Sequence, residues 1–219
     1  MINPLSISKS LNTLQVWMRL HAPDVKFRPP ANLDAIAHFE AMSCLVIPES
    51  LRQLLLLADG ETRHSAGMIG NWRMMPIVEI QAAWGYLTQV TKKGAFEGLQ
   101  PGPSPYIQKT WWRPGWIPFV SSDTGDYFCI DTDPIEPQRA GQVILFLQEH
   151  PERFLVAPSL GAWLDQIARD LISGVYTYHP EEGFTDEAFM RSALEGKHYF
   201  EGKRNLIASD DDDEKDNTP

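Results

Sequence analysis

Residues 111–146 read WWRPGWIPFVSSDTGDYFCIDTDPIEPQRAGQVILF, and this stretch decides the fold. Two apolar, strand-like pieces, Tyr127–Ile130 and Gln142–Leu147, frame an acidic turn (Asp131, Asp133, Pro134) and a polar loop that ends at Gly141. A shorter piece, Trp116–Val120, precedes them and closes on the turn signal Ser121-Ser122-Asp123-Thr124-Gly125. Along Gln142–Leu147, Val143, Leu145 and Leu147 face one way and Ile144 and Phe146 the other. Strand side chains alternate strictly, so apolar groups on both faces require a sheet covered on both sides. The rest of the chain reads as that cover.

Upstream, the cover is helical. Asn3-Pro4 suits a helix start, with Leu11, Leu14, Trp17 and Met18 recurring at helical spacing before Pro23. Asn32 is placed to cap a second helix with Leu33, Ile36 and Phe39 inward, and Pro48 opens a third with Leu51, Leu54, Leu55 and Ala58 as its buried stripe. Gly60 stands where a helix-ending glycine belongs. Next come a polar loop over 61–71, a strand over Trp72–Ile77 and a short helix over Ile77–Leu87 carrying Ile80, Trp84 and Leu87. Thr91–Ser104, rich in Gly, Lys and Pro, reads as the most mobile internal loop. Beyond the central sheet, Arg153–Ala157 is a further strand. Ser159 then caps a helix with Leu160, Trp163, Leu164, Ile167 and Leu171 on one face, ended by Gly174.

These elements divide the chain into a main domain over 1–175, a helical extension over 176–206 and a disordered acidic tail over 207–219. In the extension, Thr185 is the expected cap of a short helix, with Phe184 and Phe189 as its hydrophobic staple.

Composition narrows the function. With 43 % hydrophobic residues and 7 Trp among 219, a sizeable core needs no disulfide or metal staple. The two cysteines, Cys44 and Cys129, read as buried reduced thiols, which fits a reducing compartment. The chain does not open with a basic segment followed by an apolar one, and its apolar stretches fall short of a membrane span. The expectation is a cytoplasmic protein with no membrane partner. Net charge is −10, half of it in the tail, where Asp210–Asp213, Glu214 and Asp216 face only Lys215. Such a body, lacking a Lys/Arg cluster, repels phosphate backbones, so no nucleic-acid partner is expected. A basic protein partner gains in encounter rate.

Catalytic and metal chemistry find little to work with. Asp123, Asp126, Asp131 and Asp133 offer the oxygen atoms that hard cations take, but not at calcium-loop spacing. The acids at the strand ends read better as turn formers that bond backbone groups. No Gly-x-Ser-x-Gly elbow, zinc-ligand pair, Walker motif or dinucleotide glycine motif occurs, and the six histidines are scattered singly. No cofactor is expected. Among the aromatics, Trp116 beside Ile117 and Phe119 reads as core. Trp111 and Trp112 point opposite ways in any extended chain, and two readings stay open: one of them pins the loop to the sheet, or one is open to a partner.

Three blocks in a fixed order carry a resemblance. They are Trp111-Trp112-Arg113-Pro114-Gly115-Trp116-Ile117-Pro118-Phe119, Gly125-Asp126-Tyr127-Phe128-Cys129-Ile130-Asp131-Thr132-Asp133-Pro134 and Gly141-Gln142-Val143-Ile144-Leu145-Phe146. With Ile47-Pro48-Glu49-Ser50-Leu51 upstream and Arg153 and Ser159–Leu164 downstream, the chain from Leu14 to Leu171 resembles the SMI1/KNR4 (SUKH) superfamily. The resemblance implies an α+β fold with a mostly antiparallel central sheet flanked by helices. It also implies a non-enzymatic protein-binding role. The first expectation is an immunity-type protein that neutralises a polymorphic toxin by direct binding, its partner a basic toxin domain. The alternative is a regulatory scaffold in cell-wall synthesis or signalling. Trp111, Trp112, Arg113, Asp131 and Asp133 are the expected partner-binding residues.

Overall fold

The acidic turn does end a strand, and that strand lies at the middle of a five-stranded antiparallel sheet. The structure, a computed structural model, describes residues 6–62, 67, 72–102, 106–122, 124–175, 177–179 and 183–185. In chain order it runs α1 (Ile7–His21), α2 (Leu33–Ser43), α3 (Glu49–Leu57), β1 (Arg73–Met74), α4 (Ile77–Lys92), β2 (Trp116–Ser121), β3 (Tyr127–Asp131), β4 (Gln142–Phe146), β5 (Arg153–Ala157), α5 (Leu160–Ile172), β6 (Thr177–His179) and β7 (Gly183–Thr185). Strand order follows the sequence from β1 to β5, and β6 pairs with β7 in a separate two-stranded sheet among the described residues. This is an α+β arrangement.

Register sorts the two faces. Phe128 pairs with Leu145 and Ile130 with Val143, so these four share a face. It packs toward α5, where Trp163 lies edge-on to Phe119 at 5.1 Å and near Phe128 at 5.5 Å. On the opposite face, Tyr127 pairs with Phe146 and Cys129 with Ile144. Trp112 covers that side, edge-on to Phe146 at 5.3 Å and to Trp116 at 5.9 Å. Every residue of β2 and β4 is buried, as a doubly covered sheet demands.

The helix ends follow local chemistry. Asn32 accepts the Asp34 amide and Ser159 the Ala162 amide, both as first-turn caps. At the far end of α5, Gly174 adopts φ +75° just past the last turn. The stripes expected on α3 and α5 are all buried, as are Leu11, Leu14 and Met18 on α1.

Other expectations need correction. Asn3 and Pro4 lie outside the described residues, and the described α1 begins at Ile7 with Ser6 as its cap. Leu33 does not face inward; it is 60 % exposed, as the first residue of α2, three positions before the buried Ile36. Gly60 does not end α3, which stops at Leu57. Its φ of +71° lets the chain pass so close to Met75 and Pro76 that a Cβ would lie 2.5 Å from backbone atoms. Cys44 is exposed, in a left-handed turn (φ 57°) after α2, while Cys129 is buried as expected.

β1 is two residues, not six. The Met75 amide still reaches the Phe119 carbonyl, but Pro76 has no N–H and Ile77 already opens α4. The Asp59 carboxylate accepts the Ile77 amide at 2.7 Å and so caps α4 from outside the helix. α4 then runs to Lys92, taking in the start of the loop expected from Thr91. Phe96, further along, stacks on Trp111 at 6.0 Å between centroids. Thr185, expected to cap a helix, closes β7 instead, with Phe184 paired to Tyr178. Asp123, Phe189 and the acidic tail lie outside the described residues.

Candidate functional site

Asp131 ends β3 opposite both Trp116 and Gln142, where the chain must leave the sheet. Its backbone carbonyl accepts the Gly141 amide, which closes the β3–β4 loop. Its carboxylate is fully buried: Oδ1 accepts the Asp133 amide at 3.0 Å and Oδ2 the Gln142 side-chain amide at 2.9 Å. Burial raises its pKa, against the lowering effect of those two bonds. The same Gln142 nitrogen reaches the Tyr106 carbonyl at 3.1 Å, and Thr132 donates through both its amide and its hydroxyl to the Gly115 carbonyl. The acidic turn is thereby sewn to the 106–115 segment.

That segment is held from two further sides. Trp84 of α4 donates to the Pro114 carbonyl at 2.7 Å, and Trp112 donates to the Thr88 hydroxyl at 3.2 Å. From β5, Arg153 lies over the rings of Phe146 (4.3 Å) and Trp111 (5.1 Å). Its guanidinium donates to the carbonyls of Trp111, Leu147, His150 and Glu152. Burial pushes it down to about 10, so it stays cationic at neutral pH, stabilised by ring faces and carbonyl oxygens.

The five expected contact residues therefore fall into two groups. Trp112 and Asp131 are interior and cannot meet a partner: one is 2 % exposed and the other 0 %. Two residues apart, Asp131 and Asp133 would share a face of an extended chain, but β3 ends at Asp131, which is buried while Asp133 is exposed. The Asp131 carboxylate turns back to bond the Asp133 amide, which rotates Asp133 out of the strand direction. Trp111, Arg113 and Asp133 lie at or near the surface, with Arg113 and Asp133 joined as an ion pair and Ile135, two residues further along the chain, exposed. Asp126, at the other end of β3, accepts the Gln148 amide and the Thr124 hydroxyl, as a turn-forming acid should.

Sequence reasoning did not single out Arg153 as the cation over two aromatic rings, because partners 42 residues apart leave no local pattern. It also missed a groove of about 300 Å³ between the outer side of α4 and the β2–β3 turn, lined in part by Glu79, Tyr86 and Tyr127. Among the described residues, no group of three or more His, Cys, Asp or Glu could hold a metal ion. No described helix is long and apolar enough to cross a membrane.

A doubly covered antiparallel sheet whose acidic turn is locked to an aromatic segment defines a class of α+β domain. Residues 30–166 match the SMI1 / KNR4 family (SUKH-1), and the chain belongs to that family. It is 35 % identical over 98 residues to a KNR4/SMI1 homolog of Kluyveromyces lactis, covering 45 % of this chain and 17 % of that protein. It is 26 % identical over 161 residues to the cell wall biosynthesis/cell cycle regulator smi1 of Schizosaccharomyces pombe, covering 66 % of this chain and 31 % of that one. A glucan synthesis regulatory protein of Neurospora crassa is 36 % identical over 72 residues, covering 33 % and 14 %. The chain thus spans well under half the length of these relatives, two of which are named as regulators.

Proposed function

We propose that this chain is a non-enzymatic protein-binding module of a regulatory kind, acting in cell-wall synthesis or signalling by contact with a protein partner. One observation carries the reading: around the acidic turn, three buried side chains that carry polar atoms bond within the chain. Asp131 serves Asp133 and Gln142, Trp112 serves Thr88, and Arg153 serves four carbonyls. What remains for the outside is a rim of Arg113, Asp133, Ile135 and the partly covered Trp111. A polar rim around an aromatic anchor suits macromolecular contact. The names of the relatives favour regulation over toxin neutralisation. The net charge of −10 supports a basic partner in either reading.

The test is affinity capture with immobilised chain from extracts of the source organism, run beside an Arg113→Ala/Asp133→Ala double variant. The regulatory reading expects components of cell-wall synthesis or its signalling on the wild type and their loss from the variant. Capture of a basic toxin domain, with growth rescue on co-expression, would move the assignment to toxin neutralisation. Turnover of a small molecule by the purified chain would overturn both.

A further inference from the structure

Phe96 stacks on Trp111 with 6.0 Å between ring centroids and 30° between ring planes. It belongs to the loop that follows α4, and little else holds that loop. Lys93, Ala95, Glu97, Gly98, Leu99 and Gln100 are all exposed, whereas Phe96 packs against the hydrophobic core. The backbone N–H groups of Gly94, Ala95, Glu97 and Leu99 donate only within residues 90–99. Gly94 and Gly98 flank Phe96 at φ +82° and +81°, so the turn between them depends on two residues without a Cβ. Among the described residues, the Phe96–Trp111 pair is the ring contact that ties 94–99 to the fold beyond α4, and no hydrogen bond joins it. A segment with few buried contacts and locally closed hydrogen bonds opens at low cost.

Trp111 is fixed independently of Phe96. Arg153 donates to its carbonyl at 2.7 Å, and the next residue, Trp112, is buried and bonded to Thr88. The Arg153 guanidinium also lies 5.1 Å from the Trp111 ring centroid. Removal of Phe96 therefore leaves an indole ring whose position is already set. A positioned ring under a weakly held cover suits the exchange of one aromatic group for another, since aromatic pairs gain from offset or tilted contact beyond the area they bury. We propose that the loop over 94–99 is a displaceable cover for Trp111, and that an aromatic side chain of the protein partner takes the place of Phe96. The proposal rests on the protein-binding reading above and names how the Trp111 part of that surface is engaged.

Two measurements test it. The Trp111 Nε1–H is buried and has no hydrogen-bond acceptor among the described residues, so its exchange with water reports on opening of the site. Indole exchange, followed by ¹H–¹⁵N NMR in the full chain, should be about tenfold faster or more for Trp111 in Phe96→Ala, with Trp112 and Trp116 unchanged. Phe96→Tyr keeps the ring and should stay within about twofold of wild type. Unchanged Trp111 exchange in Phe96→Ala, or equal acceleration at all three tryptophans, overturns the cover.

The second measurement is calorimetric titration of the captured partner into the same variants. Loss of the cover raises the population of the open form, so Phe96→Ala should bind about threefold tighter or more. Trp111→Leu keeps the carbonyl that Arg153 holds but removes the ring, and should bind about fivefold weaker or more. Weaker or unchanged binding by Phe96→Ala overturns the proposal, because Phe96 is then a contact itself or an idle neighbour; wild-type binding in the same titration leaves the protein-binding reading standing. Capture of no partner removes that reading and the partner's ring with it, and the exchange result then judges the cover alone.

Discussion

Asp131 Oδ2 accepts the Gln142 side-chain amide at 2.9 Å directly across the β3–β4 ladder, so a buried acid and a buried amide hold the turn at the centre of the sheet. Gln142 is 1 % exposed, and its nitrogen also serves the Tyr106 carbonyl. The pair is thus the joint between the sheet and the 106–115 segment.

Asp131→Ala should cost about 2–3 kcal/mol, because it leaves the Asp133 amide and part of the Gln142 amide unpaired in the interior. Asp131→Asn keeps one acceptor and removes the buried charge, so its cost at neutral pH should be smaller, about 1 kcal/mol. A pH signature accompanies this. Burial raises the folded-state pKa of Asp131, so the fold holds its proton more tightly than the unfolded chain does. The resulting stability is fully present below the unfolded value, about 3.9, and is lost as pH rises through the raised folded value. The wild-type minus Asp131→Asn stability difference, from urea unfolding at several pH values, should therefore fall as pH rises across that window.

Arg153→Lys should be nearly as damaging as Arg153→Met, each costing about 3 kcal/mol. A single ammonium cannot span the four carbonyls or lie flat on Phe146 and Trp111. Thermal denaturation of the two variants checks this. A lysine variant close to wild type would mean that charge alone, rather than the planar fork, holds the segment.

Two glycines should respond in opposite directions. Gly60→Ala places a Cβ 2.5 Å from the backbone of Met75 and Pro76 at a positive φ, and should destabilise by about 3 kcal/mol. Gly85 lies within α4 with nothing within 4 Å of its would-be Cβ, so Gly85→Ala should stabilise by about 0.5–1 kcal/mol through helix propensity. Chemical denaturation midpoints separate the two.

Trp116→Ala and Phe146→Ala should each cost about 3–5 kcal/mol, since both are fully buried under the Trp112 side of the sheet. Equilibrium unfolding measures this directly. Near-neutral results would mean that Trp112 and its segment can collapse into the space.

What the sequence discloses here depends on range. Alternation in Gln142–Leu147, the caps at Asn32 and Ser159 and the glycine after α5 are local signals, and the structure agrees with them. Roles set by distant partners were not legible. Gly60 looks like a helix stop, yet answers to Met75 and Pro76. Asp59 caps a helix 18 residues away, and Arg153 serves a carbonyl 42 residues away. The contact residues show the same divide. Alternation alone could not say which of Trp111 and Trp112 turns inward, because Thr88 on α4 decides it. Nor could it foresee that Asp131 would spend its carboxylate on Asp133.

The central claim is that the acidic turn is divided, with Asp131 as internal scaffold and the Arg113–Asp133 pair as outward contact. Calorimetric titration of the captured partner into three proteins tests it: wild type, Asp131→Asn and the Arg113→Ala/Asp133→Ala double variant. The account predicts a Kd within about twofold of wild type for Asp131→Asn and at least tenfold weaker binding for the double variant, by about 1.4 kcal/mol or more. Unchanged affinity in the double variant, or a loss confined to a folded Asp131→Asn protein, would contradict it.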